Sequence, residues 1–224
     1  MVDIAWPPDL MPYKVAFYLQ SHVGGAESPI TRTTKKYGLS APRWVARLTF
    51  RGGYDGMPHL YEPGGFGPRL DSLLADLEGG LNVAVFHDFR RPMPLRPMMI
   101  RSSLVLDAAD VGDTHITVRG FAPGAVALGL GDYVGGDGRP HIISHSRTID
   151  AGGTVSGAGS IMADGSGAAI IGVRPHISAL IPSGTFAQWP VTGRFELVSE
   201  DAGQNETEVG QATEYALDFT EKLV

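Results

Sequence analysis

Between residues 128 and 197 glycine, proline and aspartate cut the chain into short apolar runs, a punctuation that suits short strands and tight turns. The run opens with Leu-Gly-Leu-Gly-Asp-Tyr-Val at 128–134 and turns at Gly135-Gly136-Asp137-Gly138. It continues through a strand at 141–149, a glycine-rich excursion to Met162, and a second apolar run at 168–173. Thirty glycines and sixteen prolines in 224 residues, without a short period, extend this reading to the whole chain and point to an all-β class. At this length and 43% hydrophobic content, folding buries roughly 70% of the unfolded surface, enough for one large or two small domains. The chain has no cysteine, so disulfides and thiolate metal sites are excluded and packing alone must stabilise it.

The first strand is expected where Tyr13, Val15, Phe17 and Leu19 alternate with Lys14, Ala16, Tyr18 and Gln20. Residues 22–40 lack periodicity and read as a long surface loop. The clearest strand is 42–51, with Trp44, Ala46, Leu48 and Phe50 on one face and Arg43, Arg47, Thr49 and Arg51 on the other. Leu70, Leu73, Leu74 and Leu77 follow helical spacing, with Pro68 at the start and Gly79-Gly80 as a stop. A strand through Val83, Val85 and Phe89 leads to residues 90–97, whose prolines cannot donate to a sheet and mark a domain boundary. Beyond it every period is strand-like, at 100–106, 114–119, 132–134, 141–149, 168–173 and 194–198. The apolar run 169–173 suggests a strand covered on both sides. A last strand alternates Tyr215, Leu217 and Phe219 with Glu214, Ala216 and Asp218 and is expected to return to the first domain.

Candidate chemistry is sparse. His141 and His145 on a strand stand about 13 Å apart, too far to share a metal ion. Asp132, Asp150 and Asp164 adjoin or lie near glycines and read as turn residues. The glycines at 129, 131, 135, 136 and 138 lack the strand-before, helix-after setting of a phosphate loop. Gly165-Ser166-Gly167 sits between β segments and forms no nucleophile elbow, which leaves a hydrolase without a nucleophile. A net charge of −6 argues against a general nucleic-acid binder; the cluster Arg90, Arg91 and Arg96 reads as a charged connector. No apolar run approaches the ~20 residues of a membrane span, and Met-Val-Asp-Ile-Ala-Trp-Pro-Pro has no export-signal pattern. Asn205-Glu206-Thr207 matches a glycosylation sequon that, without secretion, is expected to be unused. No catalytic residue, cofactor or metal ligand is therefore proposed.

Five segments together resemble a run in distal tail proteins of long-tailed (siphovirus) bacteriophages: Leu130-Gly131-Asp132-Tyr133, His141-Ile142-Ile143, Ala163-Asp164-Gly165-Ser166-Gly167-Ala168, Arg174-Pro175 and Gly193-Arg194-Phe195-Glu196-Leu197. In that family the run belongs to an OB-like barrel, which Phe195 and Leu197 would close here. The strand Arg43-Trp44-Val45-Ala46, the leucine helix and the strand at 215–219 resemble its ring-forming first domain. The glycine-rich insert at 151–162 is longer than that pattern and would form an extra surface loop.

The resemblance implies two β domains. Residues 1–97 would form a β-sandwich or barrel with one helix, completed by a C-terminal strand within 201–224, and 98–200 an OB-like β-barrel. It also implies a structural virion protein, made in the host cytoplasm: a ring, six subunits, joining the tail tube protein to the tip or baseplate hub. The expected subunit interface sets Arg43, Arg47 and Arg51 against Glu206, Glu208, Glu214 and Asp218 of the next subunit, with strand addition through Tyr215, Leu217 and Phe219. The alternative is a carbohydrate-binding or receptor-binding tail component using Tyr133, Phe186 or Trp189.

Overall fold

The alternation at 42–51 lies, in a computed structural model of the chain, within a 19-residue strand. The structure describes residues 1–52, 67–95, 104–146, 160–199, 202 and 213–223. These are mainly β, with one α-helix. In chain order the strands are β1 (Asp3–Ala5), β2 (Lys14–Glu27), β3 (Thr34–Gly52), β4 (Val83–His87), β5 (Val105–Leu106), β6 (His115–Arg119) and β7 (Val126–Gly129), then β8 (Tyr133–Val134), β9 (His141–Ser146), β10 (Ser160–Met162), β11 (Ala168–Arg174), β12 (Thr185–Phe186), β13 (Thr192–Leu197) and β14 (Thr213–Glu221). Helix α1 (Gly67–Leu77) lies between β3 and β4 and runs into a short 3-10 turn, Glu78–Gly80. The chain divides into two compact units, Met1–Phe89 with Arg194–Leu223, and Arg90–Gly193.

The first unit holds a six-stranded sheet in the order β1-β4-β13-β14-β3-β2. The period of two puts Trp44, Ala46, Leu48 and Phe50 of β3 and Tyr215, Leu217 and Phe219 of β14 into one core. Phe86 stacks on Phe195 at 4.1 Å, and Trp6 meets Phe86 and Phe219 edge-on at 5.2 and 5.9 Å. Helix α1 buries Leu70, Leu73 and Leu77, whereas Leu74, expected in the same stripe, is only half-buried. Thr49, expected on the exposed face, is buried. On β4 the buried residues are Val83, Ala84 and Phe86, and Val85 is half-buried.

Two whole segments lie elsewhere than their sequence pattern indicates. Residues 22–40 are no loop: they continue β2 and β3 as an antiparallel hairpin whose pairing runs out to Glu27↔Thr34. Both faces of that ribbon meet solvent, so no apolar alternation marks it. The segment 194–198, expected to close the second domain's barrel, instead lies on β13, where Phe195↔Glu221 and Leu197↔Phe219 pair it with β14 in the first unit. Its phenylalanine and leucine satisfy an inward period in either sheet, so the pattern does not choose between them.

The second unit has a sheet ordered β12-β5-β6-β11-β9-β8 and a separate pair, β7 with β10. Its core gathers Leu104, Leu106, Ile116, Val118, Ile143, Ile171 and Val173, among others. β11 is paired on both sides and buries most of its run, but Ile170 is exposed. The turn from β10 to β11 is held by Asp164, whose Oδ1 accepts from Ser166 N, Ser166 Oγ and Ala168 N at 2.7–2.9 Å. Gly167 there has φ +77, and a Cβ would collide with the Phe121 carbonyl oxygen. Of the insert at 151–162 only β10 is described; it pairs with β7.

Candidate functional site

The strand addition and the Arg47–Asp218 contact expected between subunits are both made within the chain itself. Tyr215, Leu217 and Phe219 are buried in their own unit, and β14 is paired to β13 on one side and β3 on the other, leaving no edge for strand addition. Of the arginine row, Arg47 finds its acid in the same chain. Arg47 faces Asp218 across the β3–β14 ladder, donating Nε to Oδ1 at 2.5 Å and Nη2 to Oδ2 at 2.8 Å. Arg51 lies 4.7 Å over the Tyr13 ring, and Tyr13 donates its hydroxyl to Glu214. That hydroxyl, with Lys14 nearby, holds the Glu214 carboxyl below its ordinary value. Arg43 is exposed; Glu206 and Glu208 lie outside the described residues.

What the first unit does present is an arm. Beyond Gln20 and Arg43 the β2–β3 ribbon is solvent-exposed at nearly every residue. Its end is closed by Arg32 N donating to Ser28 O at 2.8 Å and Ser28 N to Thr33 O at 3.0 Å, with Arg32 at φ +54. Val23, Tyr37 and Leu39 are each more than half exposed, and Ile30 near the tip is 91% exposed. Lys35, Tyr37 and Leu39 alternate on one face of β3. Tyr37 and Leu39 close over Gly24, where a Cβ would lie 2.9 Å from the Tyr37 ring, so the glycine opposite the tyrosine leaves room for that ring. Residues 22–40 carry three cations, Arg32, Lys35 and Lys36, against one anion, Glu27, in a chain of net charge −6. The available signal was Ser28-Pro29, a turn initiator between two strand-length segments.

In the second unit the His141 ring is fully buried, with Nε2 2.8 Å from Asp137 Oδ1 and Nδ1 2.8 Å from the Pro175 carbonyl oxygen. The second Asp137 oxygen accepts from Ser178 N at 2.8 Å and Ser178 Oγ at 2.9 Å. Burial pushes the Asp137 carboxyl up, but the His141 ring and the two Ser178 donors outweigh it and bring it down to about 2. Asp137 separates the serine from the histidine, so the imidazole does not activate the hydroxyl. This cluster staples the 135–140 turn and β9 to residues 175–178; sequence reading saw in Asp137 only a turn residue.

The remaining candidates are absorbed by structure. Asp132 accepts from Leu95 N and Gly129 N, at 2.9 and 2.8 Å. Arg91 donates to the Gly131 carbonyl at 2.7 Å and covers the Tyr133 ring. Tyr133 is buried, and Trp189 is half-buried with its indole N–H on the Tyr133 carbonyl at 2.8 Å; of the three aromatics expected for sugar stacking only Phe186, 61% exposed, is presented. Asp150, Arg96, the His145 side chain and the sequon lie outside the described residues. Among the described residues no group of three or more His, Cys, Asp or Glu is placed to hold a metal ion, and no helix is long and apolar enough to cross a membrane. No protein-family model and no curated protein matches the chain.

Proposed function

We propose that this chain is a structural protein of a bacteriophage tail, a ring of six subunits at the distal end of the tail tube that joins the tube to the tip hub. The observation that carries the reading is the arm: a ribbon overrunning its sheet, with Val23, Ile30, Tyr37 and Leu39 in solvent beside three cations. Apolar residues so placed suit contact with another protein, and a contact between unlike surfaces of identical subunits generates a ring when its rotation closes. The reading also rests on the resemblance to distal tail proteins, and with it we read the second unit, a six-stranded sheet around one core, as an OB-like barrel.

The test compares the full chain with a variant in which residues 22–40 are replaced by a two-residue turn. Negative-stain images are expected to show rings from the full chain and isolated subunits from the variant, and mass spectrometry of purified particles to detect the protein. Rings from the shortened variant would remove the arm from the contact. A full chain that stays monomeric at high concentration and is missing from particles would sink the tail reading.

A further inference from the structure

We infer that the arm seats on the C-terminal end of helix α1 in a second copy of this chain, an inference that rests on the ring reading above and names its contact. The last turn of α1 carries no basic residue. Instead Asp76 and then Glu78 stand exposed at the negative end of the helix dipole, where carboxylates are disfavoured. Neither carboxylate has a hydrogen-bond or ion-pair partner among the described residues. The turn beyond is fixed by Leu81 N on the Glu78 carbonyl and the Asn82 side-chain amide on the Asp76 carbonyl, and it leaves Leu81 68% exposed. Among the described residues the helix end is therefore an apolar residue flanked by carboxylates without cationic partners.

The arm has the converse chemistry. Arg32, Lys35 and Lys36 are exposed and without ion-pair partners among the described residues, and Tyr37 and Leu39 offer apolar surface on the face that also carries Lys35. Most other acids described in the first unit already have cationic partners: Asp218 with Arg47, Asp9 with Arg69, Asp3 with Arg194, Glu196 with Lys222 and Glu214 with Lys14. Among the described residues Asp76 and Glu78 have no such partner, and with the exposed Leu81 beside them they match the arm in both charge and polarity. Arm and helix end are different surfaces, so each subunit gives one contact and receives one, as a closed ring requires.

Charge reversal tests the pairing in the full chain. Lys35→Glu with Lys36→Glu, and separately Asp76→Lys with Glu78→Lys, set like charges against each other in homotypic contacts; each is expected to raise the concentration needed for assembly at least about tenfold in sedimentation velocity. All four positions are exposed, so the circular dichroism of each variant should equal that of the parent. An equimolar mixture of the two variants is expected to assemble again, because every arm then meets a helix end of opposite charge. Variants that assemble like the parent, or a mixture that stays monomeric while the parent forms rings, would overturn this contact and leave the ring reading standing. A parent chain that never self-associates would overturn both.

Discussion

Asp137 and His141 sit either side of Pro140 in a segment that reads as nothing more than a glycine-rich turn, yet their side chains meet in a fully buried polar contact. Four residues on a strand or turn carry no message that two side chains will meet, so the spacing that excluded a metal shared with His145 could not foresee the carboxylate on the other side. Since the Asp137 carboxyl titrates at about 2 when folded against 3.8 ordinarily, the stability it confers is present above about pH 4 and lost as pH falls toward 2. The difference is worth about 2 kcal/mol. Urea unfolding followed between pH 5 and pH 2 is expected to show that loss in the parent and a correspondingly shallower acid dependence in Asp137→Asn. An equally steep slope in the variant would place the titration elsewhere.

Elements with one wet and one dry face were legible, and elements with two faces alike were not. The alternation through Trp44, Ala46, Leu48 and Phe50 and that through Tyr215, Leu217 and Phe219 both mark real strands. Residues 22–40 escaped because a free-standing ribbon has no inside, and 194–198 was given to the wrong unit because a period names a buried face but not the sheet that buries it. Helix α1 makes the same distinction within one turn. Leu73 is buried and Leu74 only half so; Leu73→Ala is expected to cost about 2 to 5 kcal/mol and Leu74→Ala roughly half as much. Equal losses in denaturant midpoint would mean that the helix is rotated from the orientation described.

At the scale of the molecule, one unit interrupts the other. Residues 90–193 expressed alone keep every strand of their own sheet and are expected to melt cooperatively, with Trp189 fluorescence reporting the transition. Residues 1–89 alone lack β13 and β14 from the middle of theirs and are expected to show no cooperative melt; a sharp transition from that fragment would mean its sheet closes some other way. The position of β14 between β13 and β3 also sets a schedule for synthesis. A ribosome making this chain produces the arm early and the strand that seals the sheet beneath it more than a hundred residues later, after the whole intervening unit has emerged. Until then β3 has an open flank where Tyr215, Leu217 and Phe219 will lie, so a nascent chain holds a finished hook on an unfinished base. Translation order thereby puts the exposed arm ahead of the sheet that carries it, and in the ring proposed above only a completed chain would offer its neighbour a stable place to dock.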